Sequence, residues 1–237
     1  MLNLGNAEWL ATLISLVFVY FISVTINGNI QTWLAMKMGD DTAYDAGFLT
    51  INPFVHFHPL GFILLILSRY GWGRLIPLNP LNLTGRFRFL KSIFMFAIEP
   101  IVCVFLAMTA LIVLVSFFGT SSFYIITQMF RSEAVPIYAF TIMFPQYSSF
   151  AIGMALILVS FVFFNIFLGT LSLIINGFRF ALMIGIEKGY SYMAYIDYLV
   201  LIVPIAFTFL FSDIIRLLLL KITFMSAQSF ANLFGLV

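Results

Sequence analysis

Residues 9 to 36 contain no charged side chain, and that run limits the possible folds more than anything else in the chain. A helix needs ~20 apolar residues to cross a bilayer, and a water-soluble domain has nowhere to put so long an apolar segment. The rest of the chain agrees. Of 237 residues, 63% are hydrophobic and 8% are charged, whereas soluble domains carry about a quarter charged residues. The expected fold is an all-α polytopic membrane protein. A net charge of +2 leaves no electrostatic footprint for nucleic acid. The lone cysteine, Cys103, excludes an intrachain disulfide framework and reads as a packing residue. No cleavable signal peptide is expected, because a basic leading segment is lacking and Glu8 precedes the first apolar run.

Further spanning helices are expected at 89–118, 147–175 and 194–211, the last kinked at Pro204. That makes about four, or five to six if shorter pieces cross. Residues 61–68 are apolar but too short to span, so they read as re-entrant or interfacial. Residues 119–146 carry only Arg131 and Glu133, break at Pro136 and Pro145, and read as an interfacial external loop. In the tail, Asp213 and Arg216 stand three apart, as in a self-paired helical turn. The whole of 1–237 reads as one transmembrane domain, with a core at 9–180 and a helical extension at 190–237. Arg69, Arg74, Arg86, Arg88 and Lys91 lie in a stretch with no acid between Ala46 and Ile98. The positive-inside rule therefore puts 39–91 in the cytoplasm and the N-terminus outside. Arg86, Arg88 and Lys91 are expected to touch lipid phosphates, with an acidic partner as the weaker reading.

Residues 39–61 differ from the rest. They hold Asp40, Asp41, Asp45, both histidines and an Asn52-Pro53 turn between apolar neighbours. Carboxylates avoid hydrocarbon, so this is a polar excursion at a membrane boundary, with Gly39, Gly47, Pro53, Pro59 and Gly61 shaping its turns. The stretch resembles the site-2 protease family of intramembrane metalloproteases, whose pattern runs roughly G-D-x-T-A, a Gly, then L-T-x-N-P-x-x-H-x-D-P-x-G. It matches at Gly39, Asp40, Thr42, Ala43, Gly47, Leu49, Thr50, Asn52, Pro53, His56, Pro59 and Gly61. The likeness continues at Gly71-Trp72-Gly73-Arg74-Leu75-Ile76-Pro77-Leu78-Asn79-Pro80. Ile98-Glu99-Pro100-Ile101-Val102-Cys103 stands where the family has Ala-Gly-Pro-x-x-Asn. The resemblance covers roughly residues 15–180.

It implies a zinc site that this chain does not spell. In the family, two histidines four apart share a helix face with a glutamate base between them, and a later aspartate completes the ligands. The register puts Asn27 and Gln31 at the histidines, Gly28 at the glutamate and Asn176 at the aspartate. Amides are poor zinc ligands and glycine cannot move a proton. The resemblance thus implies a degenerate member with no zinc, no cofactor and no peptide hydrolysis. Asn27, Asn29, Gln31 and Asn176 have two readings: mutual hydrogen bonds between helices, or tolerated amides lining a wet cavity.

Other polar residues carry paired readings too. Glu99 is either a partner-docking or ion-path carboxylate, or a locally paired group whose partner is Lys91, Arg179 or another chain. His56 and His58 are a metal pair or turn residues, and the turn reading is favoured because His56 is the family's loop histidine. Asn52 is a polar turn site. The leading functional expectation is an inactive scaffold, accessory subunit or helix-binding regulator in a larger, hetero-oligomeric membrane complex, in a bacterial inner membrane. The alternatives are a transporter or channel component using Glu99, Asp197 and the amides, and an enzyme built on His56 and His58.

Overall fold

The computed structural model describes residues 7–131 and 137–187, together with 202, 206 and 221. The expected span at 194–211 apart from 202 and 206, its Asp197 and Pro204, the Asp213–Arg216 turn, Glu133 and Pro136 therefore lie outside the described residues. Among those described, all regular structure is helical: α1 (Ala7–Met38), α2 (Thr42–Asp45), α3 (Pro53–His56), α4 (Pro59–Ser68), a 3₁₀ turn (Pro80–Asn82), α5 (Arg88–Phe118), α6 (Ser122–Arg131), α7 (Ile137–Met143) and α8 (Ser149–Glu187). Three stretches, Trp9–Met38, Arg88–Phe118 and Ser149–Leu182, are long and apolar enough to cross a membrane. The protein is an all-α polytopic membrane protein.

One expected boundary moves. Asn176-Gly177 does not end its helix: α8 runs on through Arg179 to Glu187. Glycine interrupts a helix less readily in an apolar setting, where water does not compete for the backbone bonds. The expected loop at 119–146 also contains α6 and α7.

The chain forms two compact units whose boundaries fall inside the long helices. The described parts of one are 7–19, 105–131 and 137–166. Its centre is aromatic. Phe118 packs edge-on against Phe140 and Phe144, and Tyr147 donates its hydroxyl to the Phe117 carbonyl at 2.5 Å. This closes the excursion between α5 and α8. Serine and threonine hydroxyls in this unit, such as Ser15, Thr109 and Ser116, bond to carbonyls four residues back in their own helices, which spares them an unpaired polar group in an apolar setting.

The second unit, described at 20–104 and 167–187, contains the candidate site. α1 ends on Gly39 at φ +106, with Gly39 N–H on the Met36 carbonyl and Asp40 N–H on that of Ala35. This is the glycine-terminated helix end that satisfies the last carbonyls. The chain then turns back along α1. His56 meets Gly28, Phe54 and Phe57 meet Phe21, and the His58 N–H donates to the Tyr20 hydroxyl. Tyr20 lies about 27 Å from Met38 at 1.5 Å per residue, close to the ~30 Å of a bilayer core. The excursion is therefore re-entrant, and α4, with only 10 residues, is its turning point.

The return runs through residues 71–79 without regular structure. Backbone of that kind at membrane depth must be tied to protein, and here it is. The Trp72 carbonyl accepts from Tyr20, Arg74 N–H donates to the His56 carbonyl at 2.7 Å, and the Ile76 carbonyl accepts from Arg179 at 2.8 Å. Asn79 N–H donates to Asp40 at 2.7 Å.

Candidate functional site

The four positions singled out by the sequence lie on α1 and α8, and each faces protein. Asn27, Gln31 and Asn176 are 2%, 1% and 2% exposed. Asn27 donates its amide nitrogen to the Ser23 carbonyl at 2.9 Å and to Cys103 Sγ at 3.3 Å. Gln31 donates to the Met95 carbonyl at 3.3 Å. Asn176 donates to Glu99 Oε2 at 3.0 Å and to Ser172 Oγ at 3.2 Å. The amides do not bond one another. Each crosses separately to α5, from α1 through Asn27 and Gln31 and from α8 through Asn176. Asn29 is half-buried and makes no side-chain hydrogen bond among the described residues.

Gly28 has a different role from its neighbours. A Cβ there would lie 2.2 Å from His56 Nδ1 and 2.6 Å from Cε1, so the imidazole fills the room a side chain would need. α8 also approaches α5 closely at Gly169, where a Cβ would lie 2.9 Å from the Cβ of Cys103. Cys103, which the sequence suggested was only packing, thus also accepts a hydrogen bond from Asn27. Asn27 Oδ1 and His56 Nδ1 are buried with no hydrogen-bond partner among the described residues.

Glu99 belongs to a chain of three. Its carboxylate accepts from Asn176, whose own oxygen accepts from Arg179 Nη1 at 3.1 Å. Arg179 Nη2 holds the Ile76 carbonyl, and its guanidinium lies 5.3 Å from the Phe96 ring centroid. Of the partners expected for Glu99, Arg179 is thus linked through an amide. Lys91 is elsewhere: its ammonium donates to the carbonyls of Met38 and Thr84 at 3.1 and 3.3 Å, closing the end of α1. Ser172 was missed in the sequence, although its place one turn before Asn176 puts the two on one helix face.

Both histidines stabilise turns. His56 Nε2 lies 3.0 Å from the Thr50 carbonyl, so that nitrogen carries the proton. His58 caps α4, its Nδ1 accepting from Gly61 N–H at 3.1 Å, just as Asn52 caps α3 by accepting from Phe54 N–H at 3.1 Å. Burial lowers the pKa of both imidazoles; the Thr50 carbonyl opposes this at His56, and the Arg74 guanidinium adds to it at His58. The unfolded chain therefore takes up these protons first on acidification. Stability is complete above about pH 6.5, the unfolded value, and falls as pH drops from there through the folded values. Thermal unfolding in detergent should show a lower midpoint at pH 5 than at pH 7.5. His58→Asn, which can cap but not titrate, should flatten that slope. An equally steep slope in the variant would remove His58 from the explanation.

Arg86 and Arg88 stand at the entrance to α5. Among the described residues, no three His, Cys, Asp or Glu side chains gather where they could hold a metal ion.

No family model matches the chain, and no solved structure matches it. Over 64 residues it is 42% identical to the protein called "Putative zinc metalloprotease YwhC" from Bacillus subtilis (strain 168). The matched stretch is 27% of this chain and 29% of that protein, so the chain spans under a third of the relative's length. Over that stretch the chain is a membrane-protein homologue of that protein, which supports the site-2-protease-like relationship suggested by its turn motif.

Proposed function

We propose that this chain is a catalytically inactive relative of the intramembrane metalloproteases, kept to hold a partner's transmembrane helix. It serves as a scaffold, accessory subunit or helix-binding regulator of a larger membrane complex. One observation carries the inactive reading: the three positions corresponding to ligands are carboxamides, each turning its donating nitrogen onto a protein acceptor. Zinc requires lone pairs from imidazole, thiolate or carboxylate. The residues present do not fit that ion, and Gly28 offers no base to move a proton. The binding half of the reading rests on economy: a chain that keeps the re-entrant turns without the chemistry still presents long apolar helices to other helices. The relative's source fits a bacterial membrane; the reading adds the inner membrane, an N-terminus outside, a segment 39–91 that enters and leaves from the inside, and Arg86 and Arg88 near lipid phosphates.

Elemental analysis of the purified full chain should find far less than one zinc per molecule, and no cleavage of transmembrane peptide substrates. Stoichiometric zinc would overturn the inactive reading. Gentle detergent extraction followed by mass spectrometry should recover a distinct partner with transmembrane helices. Recovery as a monomer alone would overturn the scaffold reading.

A further inference from the structure

Two of the four positions read as emptied, 28 and 176, have other partners in this structure. At position 28 the vacated volume is filled. The His56 ring stands over Gly28, held there by Nε2 on the Thr50 carbonyl and by the backbone bond from Arg74 N–H to the His56 carbonyl. His56 is 1% exposed, so its ring has no open space to swing into.

At position 176 the chemistry requires an amide. Asn176 must donate on one side, to Glu99 and Ser172, and accept on the other, from Arg179. A carboxylate accepts on both sides. An aspartate there would sit about 3 Å from the Glu99 carboxylate, in a segment with little water to screen the two charges. Arg179 would gain a better acceptor, but Glu99 would lose the Asn176 donor. Because Arg179 also holds the Ile76 carbonyl, the amide helps fix the return segment to α8.

We infer that the polar centre of this protein is now a helix lock incompatible with metal, so that restoring the ligand side chains alone will not restore a zinc site. The inference rests on reading Asn27, Gly28, Gln31 and Asn176 as the emptied positions, and it goes further by naming what replaced them. It makes Glu99 and Asn176 a donor–acceptor pair that has to change together. It makes Gly28 and His56 a volume pair with the same property.

The test uses the full chain purified in detergent, with zinc ion as the only probe. Asn176→Asp should lower the thermal midpoint. Glu99→Gln should change it little, because a glutamine oxygen still accepts from Asn176. The double variant Glu99→Gln/Asn176→Asp should return to the midpoint of Glu99→Gln, since the glutamine nitrogen can now donate to the aspartate. Gly28→Ala should lower the midpoint in the unaltered protein and change it little in a His56→Ala background. The triple variant Asn27→His/Gln31→His/Asn176→Asp should retain well under one zinc per chain after dialysis and gain no midpoint from added zinc.

Stoichiometric zinc in the triple variant would overturn the inference. So would additive effects at positions 99 and 176, and if the triple variant does not fold, those pairwise cycles decide. Zinc in the unaltered protein is a separate result, which would overturn the proposed function.

Discussion

Gly61→Ala is expected to cost about 3 kcal/mol, the upper end of what overpacking usually costs, and to be among the most damaging single-methyl additions in the chain. A Cβ at 61 would lie 2.2 Å from the Trp72 carbonyl oxygen and 3.1 Å from both the carbon and the nitrogen of that residue. The obstacle is backbone, so no rotamer relieves it. The obstacle cannot retreat easily either, because the Tyr20 hydroxyl donates to the same Trp72 oxygen. The opposite face of the crossing is tight as well, since a Cβ on Gly71 would lie 2.7 Å from the Gly61 carbonyl oxygen and 2.8 Å from the Cβ of Leu65. Two glycines therefore let α4 and the return segment pass in direct backbone contact. Unfolding in detergent by heat or by SDS titration measures the loss. Gly153→Ala is the control: it lies in α8 with nothing within 4 Å of the added carbon, and alanine's helix propensity makes it neutral to stabilising by up to ~1 kcal/mol. Equal midpoints for Gly61→Ala and the unaltered protein would mean that α4 and the return segment do not cross as described.

The sequence made some of this legible and hid the rest for physical reasons. Charge-free length revealed α1, α5 and most of α8, because hydrocarbon excludes charge whatever the packing. The shortness of the apolar piece after Gly61 marked it as re-entrant or interfacial, without deciding between the two. The contacts of Glu99 were not readable, because its partner Asn176 is 77 residues away and helix faces in lipid are apolar on both sides. In a soluble helix an apolar stripe marks the core. Here it marks either protein or lipid, so periodicity could not say that Asn27 faces Cys103 or that Gln31 faces the Met95 carbonyl. Asn176-Gly177 read as a helix stop because that dipeptide favours turns in water, a preference the interior of α8 does not share. The packing of His56 over Gly28 depends on the excursion folding back on α1, which no local signal in either segment contains.

Asp40→Ala should be as damaging as the glycine change, on the order of 3 kcal/mol, because hydrogen bonds to a charged group are the strong ones and the orphaned donors add their own cost. The residue is fully buried, yet its carboxylate is satisfied. Oδ1 accepts from Thr42 N–H at 3.2 Å, from the Thr42 hydroxyl at 2.5 Å and from Asn82 Nδ2 at 3.0 Å, while Oδ2 accepts from Asn79 N–H at 2.7 Å. One side chain thus ties the end of α1 to the 3₁₀ turn that leads into α5, beside Lys91 on the Met38 carbonyl. Asp40→Asn should lose less, since one oxygen remains to accept, although its amide hydrogens would then face donors. Asp41 and Asp45, exposed in the same stretch, should each change stability by no more than ~0.5 kcal/mol on replacement by alanine. Unfolding midpoints for the three alanine variants separate two roles that the sequence alone does not: a carboxylate that only marks the edge of the membrane predicts three similar small effects, whereas a structural tie predicts one large effect and two near zero.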